Sequence, residues 1–125
     1  MRTIKQMHHI SASPNEVYTA LTNPFTIELW SGFPAIMSTI PETEFSLFDG
    51  DITGRNIEFI DNKLIRQLWY FEGDSENSVV TFILKSDKNS TIIELCHTNV
   101  PEKVYDEMAD GWKNIYFRNL KEFFK

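Results

Sequence analysis

Between Val100 and Lys125, apolar side chains recur at helical spacing, directly after a run of short strand-like segments. Val104, Tyr105, Met108, Trp112, Ile115, Tyr116 and Phe123 share one face of such a helix. Pro101 suits its opening, because a first-turn N–H has no partner inside the helix anyway. Glu102 near the start, with Lys121 and Lys125 near the end, matches the helix dipole. A helix this long needs a wide apolar surface to cover its stripe, and the strands before it supply a sheet. The expected fold is α+β, with a sheet gripping a terminal helix.

The rest of the chain divides at turn residues. Thr3 to Ile10 reads as a first strand, and Ser13-Pro14-Asn15-Glu16 has the form of a capping box with proline at the first helical position. That helix is expected to stop near Asn23, because Pro24 restricts the residue before it. A second short helix follows from Pro24 to Leu29 or Trp30, ended by Gly32 and Pro34. Strands are then predicted over Phe45–Phe48, Ile52–Ile60, Leu64–Phe71, Val79–Lys85 and Thr91–Thr98. Asp49-Gly50-Asp51, Asp61-Asn62-Lys63, the polar stretch Gly73–Asn77 and Ser86–Ser90 separate them. Gly50 is expected at positive φ, and Gly54 inside a strand marks a bulge or a close backbone approach. The order predicts one domain over residues 1–125: a curved antiparallel sheet of six to seven strands around a long C-terminal helix, with two short helices after the first strand.

Composition removes several function classes. Aromatics make up 14% of the residues, including ten Phe, so a packed core is expected rather than disorder. The net charge of −6 and the absence of any lysine/arginine cluster exclude a phosphate-tracking nucleic-acid binder. No segment has the apolar length of a membrane span, and Met1–Ile10 lacks the apolar core of a signal peptide. With Cys96 as the lone cysteine, no internal disulfide can form, and a cytoplasmic location is expected.

Several stretches together resemble a known family. They are Ala20-Leu21-Thr22 with Pro24 and Trp30, Phe45-Ser46-Leu47-Phe48-Asp49-Gly50, and Ile52-Thr53-Gly54. Leu64-Ile65 to Trp69, Thr91 to Leu95, Val100-Pro101, and Gly111-Trp112 with Tyr116-Phe117 complete the set. In order and spacing, across nearly the whole chain, they resemble the C-terminal domain of the activator of heat-shock-protein-90 ATPase. That domain belongs to the START-like, birch-pollen-allergen-like helix-grip superfamily (SRPBCC). The resemblance implies a helix-grip fold, no bound metal or cofactor, and, as in eukaryotic members, stimulation of a chaperone ATPase. The chain has no room for the separate N-terminal domain of eukaryotic activators, so any contact with a heat-shock-protein-90-type chaperone is expected to be weak. The superfamily architecture also implies a second class of function, binding or carrying a small hydrophobic ligand between sheet and helix.

Inward-facing residues of such a cavity are expected from Trp30, Phe45, Leu47, Phe82, Leu84, Ile93, Leu95, Met108, Trp112 and Tyr116, with His97 at its rim. His97 shares a strand face with Ile93 and Leu95. It reads either as a ligand contact or general base, or as a hydrogen-bonded histidine at a strand end. Glu94 points to the other face, so no acid/base pair assembles and no enzyme activity is expected. Arg66 and Gln67 must face opposite ways, in an order that alternation leaves open. Adjacent histidines (His8, His9) and the pair Cys96, His97 diverge on strands, and the Asp49-Gly50-Asp51 carboxylates are too few for calcium, so no metal site is expected. Gly111 costs about 1 kcal/mol in a helix relative to alanine, which calls either for close helix–sheet packing or for cavity space. Phe117, Leu120 and Phe124 form a second stripe, either exposed to a partner or wrapped by sheet edges. The partner surface is expected at Asp106, Asp110, Phe117 and Phe124, beside the Asp49-Gly50-Asp51 turn.

Overall fold

A computed structural model describes residues 1–72 and 78–125; the polar stretch Gly73–Asn77 lies outside the described residues. Strand β1 (Arg2–Ile10) leads into helices α1 (Pro14–Thr22) and α2 (Pro24–Ser31). Strands β2 (Glu44–Leu47), β3 (Ile52–Ile60), β4 (Leu64–Trp69), β5 (Ser78–Asp87) and β6 (Ser90–Val100) follow. Among the described residues, six strands form one antiparallel sheet in the order β1-β6-β5-β4-β3-β2. The first strand thus pairs with the last, and β1 and β2 are the edges. Among the described residues no helix is long and apolar enough to cross a membrane.

Local chemistry accounts for the start of the fold. Ser13 Oγ accepts from the Glu16 N–H at 3.4 Å while the Ser13 N–H donates to Glu16 Oε1 at 3.3 Å, so the predicted capping box closes. Asn23 ends α1 and caps α2, its side-chain oxygen accepting from the N–H groups of Phe25 and Thr26 at 2.9 and 3.1 Å. Gly32, at φ 82°, closes α2 in the left-handed conformation.

The strand ends differ from expectation in a regular way. β4 stops at Trp69 rather than Phe71, whereas β5 and β6 run past their apolar stretches and leave only Lys88 and Asn89 to turn. Ladder pairing continues into polar residues when a neighbouring strand is present to accept the bonds, which apolar alternation does not reveal. Gly54 is a close-approach glycine. A Cβ built there would lie 2.0 Å from the Leu68 carbonyl oxygen and 2.7 Å from the Phe45 ring. The irregularity in β3 falls farther on, between Asn56 and Glu58.

The C-terminal helix is long but not uniform. A 3₁₀ turn (Glu102–Val104) opens it, followed by α3 (Tyr105–Gly111), a π turn (Trp112–Tyr116) and α4 (Phe117–Phe123). The Phe117 N–H reaches the Trp112 carbonyl five residues back. One extra residue in that turn rotates everything after it by about 100° relative to a regular helix. The stripe therefore changes phase. Ile115 (53% exposed) and Phe123 turn to solvent, while Phe117 and Leu120 turn into the core. Phe117 stacks on His8 of β1 with ring centroids 3.9 Å apart. The second stripe is covered by α2 and by β1, and Phe117 is no part of an exposed partner surface. Phe124 is half-buried, and Asp106 and Asp110 are exposed.

Candidate functional site

Alternating residues of the sheet's concave face meet the helix and fill the grip. Phe45, Leu47, Phe82, Leu84, Ile93 and Leu95, all candidates for a cavity lining, are core residues packed with Trp30 of α2. Among the described residues, a cleft of about 240 Å³ stays open between the terminal helix and the sheet. The helix lines it with Glu107, Met108, Gly111, Trp112, Ile115 and Tyr116. Phe48, Asp51, Ile52 and Trp69 complete it from the sheet side. Of the expected cavity residues, Met108, Trp112 and Tyr116 line the cleft. The volume lies below the range of about 300–1,000 Å³ usual for ligand pockets.

Two stacked indoles form the inner wall, Trp69 and Trp112, with ring centroids 4.7 Å apart at 30°. Each is held by its N–H. Trp69 Nε1 donates to Gln67 Oε1 at 3.0 Å, and Gln67 Nε2 donates to Asn56 Oδ1 at 3.3 Å. Asn56 Nδ2 in turn donates to the Ser38 carbonyl and to Thr43 Oγ1, each at 3.3 Å. This chain settles the β4 alternation: Gln67 is inward, and Arg66 faces out to pair with Glu58. Sequence reasoning had no role for Asn56, although an asparagine amid β-forming residues beside Gly54 was its visible trace.

The second chain runs through His97. Trp112 Nε1 donates to His97 Nδ1 at 3.0 Å, so the ring proton sits on Nε2, which faces Ser78 Oγ at 2.8 Å. Ser78 Oγ then donates to the Thr98 carbonyl at 3.3 Å. His97 is not at a rim. It is fully buried beneath Trp112, both nitrogens are engaged, and it does not line the cleft. Burial lowers its pKa from 6.5 to about 4, and protonating Nδ1 would also oppose two N–H groups. The folded-state pKa is thus below the unfolded one. His97's contribution to stability is complete above pH 6.5 and is lost as pH falls toward about 4. Unfolding free energies measured across that window are expected to fall more steeply for the native chain than for His97→Gln; parallel curves would contradict the assignment.

Gly111 answers the choice posed by the sequence. A Cβ there meets nothing within 4 Å, and the residue lines the cleft, so it is not a close helix–sheet contact. Its backbone is regular helix, φ −61° and ψ −40°. Gly111→Ala is therefore expected to stabilise the fold by about 1 kcal/mol, read as a higher urea midpoint; a lower midpoint would show that the space is needed.

His8 and His9 diverge as alternation requires. His9 is exposed, while His8 is buried under Phe117, with Nδ1 accepting from Lys121 Nζ at 3.1 Å and Nε2 bonded to Gln6 Oε1 at 2.7 Å. Burial, then Lys121 and Lys113, lower its pKa to about 4. Among the described residues no group of three or more His, Cys, Asp or Glu is placed to hold a metal ion.

Known proteins resemble this chain in both sequence and shape. It is 29% identical over 118 residues to the activator of 90 kDa heat shock protein ATPase homolog 1 of Mus musculus, covering 90% of this chain and 34% of the mouse protein. The homologous activator of Dictyostelium discoideum is 25% identical over 126 residues, 98% of this chain and 33% of that protein. The chain thus spans about a third of the length of these relatives. Among solved structures, an HSP90 activator from Plasmodium falciparum superposes with a TM-score of 0.88 at 25% identity, covering 98% of this chain and 96% of that one. The sequence profile described as "Activator of Hsp90 ATPase homolog 1-like protein" matches residues 11–125, and the chain belongs to that family.

Proposed function

We propose that the chain is a non-enzymatic interaction module of the chaperone-activator type, working in the cytoplasm and touching a heat-shock-protein-90-type chaperone through its surface. The observation that carries this reading is the filled grip: the concave face is packed by its own side chains, and the remaining cleft is small. The contact made by this domain alone is expected to be weak, since it matches about a third of the length of the mouse activator. It is also expected to fade with salt, since the chain is acidic and exposed charges are screened over about 8–10 Å near physiological ionic strength.

The test is ATP turnover of the host's purified chaperone with and without this protein at low and moderate salt. Faster turnover at low salt, diminished at moderate salt, is the expected result. Unchanged turnover with no complex at high micromolar concentration would sink the reading. A second reading, a carrier for a small hydrophobic ligand, is favoured by the apolar indole wall of the cleft and opposed by its volume. A panel of lipids and flavonoids that moved the tryptophan emission and the melting temperature would revive it.

A further inference from the structure

Uncovered apolar surface on this protein leads to the cleft. Phe25 (77% exposed) and Leu29 (72%) lie one turn apart on the outer side of α2. Phe33 continues the line and meets Phe48, ring centroids 6.2 Å apart, and Phe48 is a wall of the cleft. On the far side stands Ile115, turned outward by the π turn.

The charged side chains that line the cleft have one sign. Among the described residues, the acidic side chains lining the cleft are Asp51 and Glu107, and no lysine or arginine joins them. Neither makes an ion pair among the described residues, whereas other exposed carboxylates do: Glu42 with Arg55, Glu102 with Arg2, and Glu122 with Lys125. Asp49 and Asp110, both exposed, extend the same field along the β2–β3 turn and the helix. An apolar cleft with unpaired carboxylates at its rim complements an apolar group flanked by cations. The cleft is also preorganised, since both indoles are pinned by buried hydrogen bonds and lose little freedom on binding.

We propose that this cleft is the docking point for a short basic segment of a partner protein. One large apolar side chain of that segment enters against Trp69 and Trp112. Lysine or arginine side chains on either side of it reach Asp51 and Glu107. This names the partner chemistry for the interaction reading above and rests on it for the partner's identity, but not for the binding itself. The partner surface then lies around the mouth of the cleft, and the buried Phe117 has no part in it.

A labelled peptide carrying one phenylalanine between lysines tests the assignment, alongside a counterpart in which glutamates replace the lysines. The native protein is expected to bind the lysine peptide with quenching or shift of tryptophan emission, and the glutamate peptide about tenfold or more weakly. Gly111→Leu, which points a side chain into the empty space, is expected to weaken the lysine peptide about tenfold. Asp51→Asn combined with Glu107→Gln, at exposed positions where folding is not at stake, is expected to weaken it several-fold and to flatten its salt dependence. Equal binding of the two peptides, or unaltered binding by both variants, overturns the proposal. So does tight, charge-independent uptake of a neutral naphthol lost in Gly111→Leu, which would make the cleft a small-ligand site. Chaperone turnover separates the two readings. If Gly111→Leu and the double variant still stimulate the ATPase like the native chain, this inference fails and the activator reading survives. If the peptide behaves as expected while turnover never changes, the activator reading fails and this one stands.

Discussion

Trp112→Ala is expected to lower stability by about 3–5 kcal/mol, the range for deleting a buried large aromatic side chain. The ring is 1% exposed and is surrounded by other rings, Trp69 at 4.7 Å, Tyr116 at 4.8 Å and Phe82 at 5.7 Å between centroids. Truncation removes those contacts together and leaves His97 Nδ1 without its donor, a buried acceptor whose desolvation is no longer offset. Trp112→Phe separates the two effects. It keeps most of the ring contact but loses the hydrogen bond, so a smaller loss of about 1–3 kcal/mol is expected. For a chain of this size the alanine variant corresponds to a melting temperature lower by roughly 10–20 °C. A shift under about 3 °C would mean that the neighbouring rings close over the gap and that Trp112 is not the anchor of the helix.

Gly54→Ala is expected to cost about 3 kcal/mol or more, at or above the usual range for overpacking. Most oversized substitutions are relieved by a side chain turning aside. Here the added methyl would stand 2.0 Å from the Leu68 carbonyl oxygen, which is backbone, with the Phe45 ring closing the other side at 2.7 Å. Relief requires β3 to move away from β4 along the pairs Gly54↔Trp69 and Arg55↔Leu68. That motion also loosens Trp69 and with it the wall of the cleft. The urea midpoint should fall sharply, and the emission of Trp69 should shift toward that of exposed indole. The same substitution at Gly111 is expected to have the opposite sign. An unchanged midpoint for Gly54→Ala would show that the strands are not held at this spacing.

Most of the fold was legible because its signals are local. The capping box at Ser13 and Glu16, the proline at each short helix start and the β3–β4 turn at Asp61-Asn62-Lys63 each depend on residues within a few positions of one another. The turn after β2 was also visible, with Gly50 at φ 91°, although Phe48 and Asp49 adopt positive φ as well, at 52° and 54°. The site was less legible. Its inward residues were recognised as apolar, but not whether they enclose space or fill it. Phe82 and Leu84 could have lined a cavity or closed it; both are buried, and Phe82 packs against Trp112, Tyr116 and Phe117.

By itself, the sequence determined the order of the elements, the antiparallel sheet, the burial of Trp112 and membership of the helix-grip architecture. The first three follow from alternation, capping, turn residues and helical spacing, all of which act over short distances along the chain, and the architecture from the resemblance that the ordered motifs carry. Only the tertiary structure decided the side to which the second half of the terminal helix turns, the inward face of β4 and the place of His97. The π turn shifts Phe117 and Leu120 into the core by one residue's rotation. Gln67 faces inward where Asn56 and Trp69 offer it partners, and His97 is drawn under Trp112 by an indole N–H from another element. Each of these is settled by a contact between residues far apart in sequence or by a single inserted residue, and helical or strand periodicity contains no term for either.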